Sequence, residues 1–189
     1  MYLKVFVLVV CLASMVFARD KFTRVQSLKG DWLFTVGDDM AWADPDYEDD
    51  NWIEVRVPRT WEDEGFPGYD GYAWYRLTFR FEETDPDQVY YLLAGVIDDA
   101  DETYFNGQLI GEAGGMPPEY STAHLYQRQY IIPANLINYG GENTIAIRVY
   151  DAAVHGGIKY GKVGIYISDP GIDALVDLRG DWKFQPGDN

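Results

Sequence analysis

The chain has 189 residues, of which 47% are hydrophobic and 16% aromatic. This composition excludes intrinsic disorder and predicts one domain with a full core. Its 31 acidic and 15 basic side chains give a net charge of -16, which argues against nucleic acid and anionic membranes as partners.

The N-terminus has the pattern of a secretory signal. Lys4 precedes an apolar run over residues 5–13, and Val16, Phe17 and Ala18 fit a cleavage site. The run is too short for a membrane span, so we predict a signal peptide over 1–18 and a secreted or periplasmic protein. Cleavage would remove Cys11, the only cysteine, although its lipidation remains an alternative.

The mature segment alternates apolar and polar residues with the period of β-strands. In chain order, strands are predicted over 72–81, 89–97, 103–110, 143–150 and 163–167. Asn106-Gly107 predicts a hairpin turn, because both turn positions favour positive φ. Only residues 133–137 could form a short helical turn. About seven or eight short strands predict an all-β fold, an antiparallel β-sandwich or jelly roll.

One twelve-residue segment occurs twice. SLKGDWLFTVGD at 27–38 returns as DLRGDWKFQPGD at 177–188. A domain-sized repeat of this kind predicts one module over 24–169, a linker over 170–176, and the first strand of a second, truncated copy over 177–189. We therefore expect further domains of the same polypeptide as partners.

Two loops are rich in groups that bind ligands. Seven carboxylates between Asp38 and Asp50 could hold a structural Ca²⁺, or could simply form Asx turns beneath Trp42 and Trp52. No other cofactor is expected. The segment 57–75 combines aromatic rings with acids, as carbohydrate recognition requires. Trp74 stands out because alternation places it opposite the core face; it could stack on sugar, or cover a sheet edge or a neighbouring domain.

Further candidates follow the ends of strands, where a sandwich usually carries its binding residues. Asp98 and Asp99 follow a buried strand and could bind a ligand or form a solvated turn. Arg148 could orient a carboxylate, and His155 lies in a loop beside two glycines. We predict no catalytic residue, since the chain has no G-x-S-x-G elbow, no H-E-x-x-H and no cysteine in the mature segment.

Several segments in fixed order resemble a known family. LKGDW, VPRTWE, DGYAWYRLTF, IDDADETYFNGQLIG and ENTIAIRVYD are similar to the N-terminal sugar-binding domain of glycoside hydrolase family 2, which includes β-galactosidases and β-glucuronidases. Similar modules accompany sialate O-acetylesterase-like enzymes and some extracellular sensors. The resemblance covers residues 25–169 and implies a jelly roll of the galactose-binding-domain-like type.

In that family a separate barrel carries the catalytic acids, and the jelly roll can lend residues to the sugar site. The resemblance implies that Asp151 is one such residue and that the segment 69–72, with Asp70 and Tyr72, is another. The first hypothesis is therefore a non-catalytic carbohydrate-recognition module of a secreted hydrolase. The alternative is a structural or ligand-sensing module of a larger receptor or esterase.

Overall fold

Alternation of apolar and polar side chains produces ten strands in the computed structural model, which describes residues 22–168. They are β1 (Phe22–Ser27), β2 (Gly30–Val36), β3 (Ile53–Val57), β4 (Gly71–Arg80), β5 (Tyr90–Asp98), β6 (Ala100–Phe105), β7 (Gln108–Ala113), β8 (Gln127–Ile132), β9 (Glu142–Asp151) and β10 (Gly157–Ser168). Three short 3-10 helices cover Met40–Ala43, Glu62–Glu64 and Ala134–Leu136. The predicted signal peptide, linker and second repeat lie outside the described residues.

The strands form two antiparallel sheets packed face to face. One sheet has four strands in the order β1-β10-β5-β8, and the other has six in the order β3-β2-β4-β9-β6-β7. The core between them is built from inward-facing side chains such as Tyr75, Leu92, Ile147 and Ile165. The predicted all-β sandwich is confirmed. Among residues 22–168, no helix has the length and apolar character of a membrane span.

The predicted hairpin turn is also confirmed. Asn106 and Gly107 connect β6 to β7 with φ values of 47° and 81°. The Asn106 side chain donates to the Leu136 carbonyl at 2.7 Å, and its own oxygen accepts from the Thr144 amide at 2.7 Å. The turn is therefore fixed to the neighbouring strand β9.

A buried ion pair joins the two sheets. Arg128 on β8 donates through Nε to Asp101 on β6 at 2.5 Å, and both side chains are almost wholly shielded from solvent. Its other guanidinium hydrogens bond to the carbonyls of Ile97, Asp99, Ala123 and Tyr126. All five donors of the arginine are thus satisfied, as burial of a charge requires.

Replacement of Arg128 by Met should destabilise the protein strongly. The change leaves the Asp101 carboxylate buried without its cation, which typically costs about 3–5 kcal/mol. Urea unfolding followed by tryptophan fluorescence measures the free energy of unfolding.

The matched control is Arg80→Met, because Arg80 pairs with Glu82 at 2.9 Å in a setting where both side chains are largely exposed. This control should change the free energy of unfolding by no more than about 0.5 kcal/mol. Equal effects of the two substitutions would contradict the assigned role of the Arg128–Asp101 pair.

Candidate functional site

Five of the predicted site residues meet at one end of the sandwich. Gly71, where β4 begins, pairs with Asp151 at the end of β9, and this pairing brings Asp70 and Tyr72 beside Asp151. Asp98 ends β5 and pairs with Gly157, where β10 begins. Asp99 connects β5 in one sheet to β6 in the other. This end therefore collects Asp70, Tyr72, Asp98, Asp99 and Asp151.

Asp98 and Asp99 have different partners. Asp98 accepts from the Lys159 ammonium at 2.5 Å, whereas Asp99 accepts from the Thr122 hydroxyl and, at 3.0 Å, from the Ala152 amide. Burial and the neighbouring Asp99 raise the pKa of Asp98, and Lys159 opposes that rise. For Asp99, burial is the largest single influence and acts upward, but the hydrogen bonds together lower its pKa.

Asp151 is the least satisfied polar group at this end. Its residue is 0% exposed, and neither carboxylate oxygen has a hydrogen bond of normal geometry to any described residue. Burial raises the pKa of Asp151 to about 7; the nearby Ala153 amide lowers it, and the charges of Asp98, Asp99 and Asp70 raise it. The pair Asp98 and Asp99 thus lies beside a third carboxylate that has no strong donor.

A row of tyrosines runs from this end along the outer face of the six-stranded sheet. Tyr72 and Tyr150 have ring centroids 4.8 Å apart, and Tyr120 and Tyr150 have centroids 5.6 Å apart. Tyr120 is 41% exposed. The family resemblance implied Tyr72, but the sequence analysis missed Tyr120, because nothing in the loop that carries Tyr120 shows that it folds back onto β9.

Arg148 lies at the far end of this row. Its guanidinium sits 4.6 Å from the centroid of Tyr72, donates to both oxygens of Asp38, and donates to Glu102 at 3.1 Å. Desolvation lowers the pKa of Arg148, but the two carboxylates outweigh it and raise that pKa. The carboxylates that Arg148 orients in this structure are those of the protein itself, Asp38 and Glu102.

The expectation that Trp74 offers an open face to sugar is wrong. Trp74 does lie opposite the core face, as predicted, but it is 0% exposed. The loop between β2 and β3 folds over it, so that Trp42 packs edge-on at 6.0 Å, and Tyr104 on β6 stacks at 5.8 Å. Its indole donates to Asp38 at 3.2 Å. Trp74 therefore stabilises a second, smaller core on the outer side of the sheet.

Several carboxylates of the acidic loop bind groups within the protein. Asp39 accepts from the Ala41 amide and Asp44 from the Asp46 amide, both at 2.9 Å, in the arrangement of Asx turns. Asp49 binds buried Arg76 at 2.7 Å. The predicted Asx turns are present in this loop, and a structural Ca²⁺ stays a prediction.

The two histidines lie in different surroundings. His155 is exposed, and its Nδ1 is 3.9 Å from Glu62. His124, which the sequence did not single out, is close to the acid pair: Nδ1 is 2.8 Å from the Thr122 hydroxyl and 4.0 Å from Asp99. No pattern around His124 predicts this contact, because it depends on a loop that returns to the end of β5.

Comparison with known proteins finds relatives of similar sequence and fold among glycoside hydrolases. A β-galactosidase, BoGH2A, from Bacteroides ovatus is 26% identical over 152 residues, a match that covers 72% of this chain and 16% of that protein. A crystal structure of a Bacteroides uniformis β-glucuronidase matches with a TM-score of 0.60 and 22% identity over 77% of this chain and 17% of the other. A β-glucuronidase from glycoside hydrolase family 2 matches with a TM-score of 0.59 and 20% identity over 82% of this chain and 18% of the other.

The expected resemblance to the N-terminal domain of glycoside hydrolase family 2 is confirmed. No family model matches the chain. The chain spans about a sixth of the length of the relatives it matches, at 16% and 17% for the two Bacteroides proteins. The similarity therefore concerns one domain of a larger enzyme architecture.

Replacement of Trp74 by Ala should unfold or strongly destabilise the protein. Removal of a fully buried tryptophan typically costs about 3–5 kcal/mol. Thermal or urea unfolding measures the loss, with Tyr160→Ala as the control, since Tyr160 is 55% exposed. A Trp74→Ala protein as stable as the control would contradict the burial described here.

Replacement of Asp151 by Asn should stabilise the protein at high pH more than at low pH. The pKa of Asp151 is raised to about 7 in the folded protein from an ordinary value of 3.8, so this residue destabilises the fold progressively as pH rises between these values. The neutral amide does not ionise, so it avoids the pH-dependent cost of a buried carboxylate.

Urea unfolding of wild type and Asp151→Asn at pH values from about 4 to about 8 checks this expectation. Asp63→Asn, which changes an exposed carboxylate, is the control. A stability difference that does not grow with pH would show that the Asp151 carboxylate is compensated in the folded protein.

Proposed function

We propose that this chain is a non-catalytic carbohydrate-recognition module of a larger secreted hydrolase of the glycoside hydrolase family 2 type. The observation that carries the proposal is the row of tyrosines beside the carboxylates at one end of the sandwich. The similarity to a β-galactosidase and to β-glucuronidases supports a carbohydrate as the ligand. Hydrolysis would then belong to a different domain, consistent with the 16% of the relative that this chain matches.

The chemistry of sugars fits this surface. The C–H face of a pyranose packs on an aromatic ring, while its hydroxyls donate to carboxylates. Tyr120 combines both features, because its ring contacts Tyr150 and burial together with a hydrogen bond to Asp99 raises its pKa to about 12. A sugar on Tyr120 would therefore lie within reach of the Asp98 and Asp99 cluster.

Asp151 is not open to a sugar hydroxyl in the way that an exposed carboxylate would be. The residue is 0% exposed, whereas residues 152–155, which follow it, are exposed. A sugar hydroxyl would contact Asp151 only if this segment moved. Val154 within it has φ of 80°, a conformation that β-branched residues rarely adopt, so a change in this backbone would relieve strain.

Replacement of Tyr120 by Ala should weaken carbohydrate binding about three- to tenfold while leaving the fold intact. An aromatic contact contributes about 0.5–1.5 kcal/mol beyond its buried area, which corresponds to this change. A glycan array identifies a ligand, and calorimetry then measures the dissociation constants of wild type and variant.

Tyr160→Ala is the matched control, because Tyr160 is 55% exposed on the four-stranded sheet, away from the tyrosine row. It should bind carbohydrate as the wild type does. Carbohydrate binding that is equally strong in both variants would exclude the tyrosine row as the binding surface.

A second function, a structural or ligand-sensing module, is favoured by exposed apolar side chains at the same end. Leu125, Tyr126 and Val154 are 71%, 69% and 73% exposed, and they lie on segments that flank Asp99 from two sides. Such side chains suit contact with another domain of the same polypeptide. A folded protein that binds no carbohydrate would support this function over the first.

A further inference from the structure

The geometry points to a site for a divalent transition-metal ion formed by Asp98, Asp99 and His124. Each residue offers one ligand atom, and the three atoms lie within 4.8 Å of one another. Asp98 ends β5, Asp99 connects it to β6, and His124 belongs to the loop between β7 and β8. The His124 side chain is 42% exposed, so an ion can reach the cluster from solvent.

The charges around the cluster favour an additional cation. Asp151 continues the inward-facing row of Ile147 and Val149 on β9, so its carboxylate points between the sheets at the end where the chain crosses through Asp98 and Asp99. It is fully buried and has no hydrogen bond of normal geometry to a described residue. Three carboxylates thus share one bound ammonium, that of Lys159 on Asp98. Buried charges normally have partners, and a dication would supply the missing one.

Both carboxylates of the pair retain capacity for an ion. An ionised carboxylate has about four lone-pair positions, whereas Asp99 accepts from three groups, the Thr122 hydroxyl, the Ala152 amide and the Tyr120 hydroxyl. The hydrogen bond of Asp98 to Lys159 uses Oδ2. Thr122 also contacts Nδ1 of His124 and so orients two of the three ligands, as residues around metal sites usually do.

The ligand set selects the kind of metal. Ca²⁺ prefers six to eight oxygens, whereas imidazole together with carboxylates suits ions such as Zn²⁺ and Mn²⁺. A neutral imidazole keeps one ring nitrogen free of a proton and available as a ligand. The site is therefore distinct in place and chemistry from the acidic loop over residues 38–50, where Asp39 and Asp44 accept from backbone amides and Asp49 binds Arg76.

The test is a set of separate calorimetric titrations of the purified protein with Zn²⁺, Mn²⁺ and Ca²⁺ at neutral pH and without carbohydrate. We expect saturable binding of one ion per chain. His124→Ala should weaken binding by at least about tenfold, since loss of even a supporting group at metal sites costs that much. Asp98→Asn should weaken it similarly, and circular dichroism verifies that each variant is folded.

His155→Ala is the matched control, because it removes the other exposed histidine, whose carboxylate neighbour is Glu62 rather than the acid pair. It should bind the ion as the wild type does. Equal losses in the two histidine variants, absence of saturable binding, or tighter binding of Ca²⁺ than of Zn²⁺ and Mn²⁺ would each overturn the proposal. Because no sugar is present, this result is independent of the carbohydrate screen.

Discussion

The candidate site depends on the buried pair of Arg128 and Asp101. The carbonyls of Ile97 and Asp99 both accept from Arg128 Nη2, at 2.9 and 3.0 Å, so the guanidinium fixes the backbone on either side of Asp98. The Tyr130 hydroxyl and the Thr103 hydroxyl hold the other oxygen of Asp101 at 2.8 and 2.9 Å. The crossing between sheets is therefore positioned by a rigid polar network rather than by apolar packing alone.

The loop between β2 and β3 helps to explain why the candidate binding residues gather at one end of the sandwich. On the six-stranded sheet, the loop between β2 and β3 covers the outer face around Trp74, and Arg76 donates to the carbonyls of Trp42, Asp44 and Pro45 to hold it there. That part of the face is closed to a ligand. The tyrosine row and the acid pair lie where this cover ends, so the surface available for recognition is narrow and is set by the loop.

Much of the fold could be predicted from the sequence, because β4, β5 and β9 alternate or are apolar throughout over nine or ten residues. The burial of Trp74 beneath a loop could not be predicted, because alternation identifies the face opposite the core but not which segment packs on that face. Arg128 was missed for a related reason: it occupies an inward position of β8, where an arginine is normally taken to point outward. Asp98 and Asp99 could be selected because they follow a buried strand, and Asp151 was implied by the family resemblance. His124 and Tyr120 lie on a loop whose return no local pattern records.

The candidate site must be judged against the large negative charge of the whole protein. With a net charge of -16, carboxylates are common everywhere, and proximity of two acids alone would mean little. What distinguishes this end is that Asp151 is buried without a strong donor while the carboxylates of the acidic loop have partners such as Arg76, Arg148 and backbone amides. Asp151 is therefore a buried carboxylate without a hydrogen bond of normal geometry to a described residue. An ion at the acid pair would supply the charge it lacks, and a neighbouring domain or a sugar would supply donors.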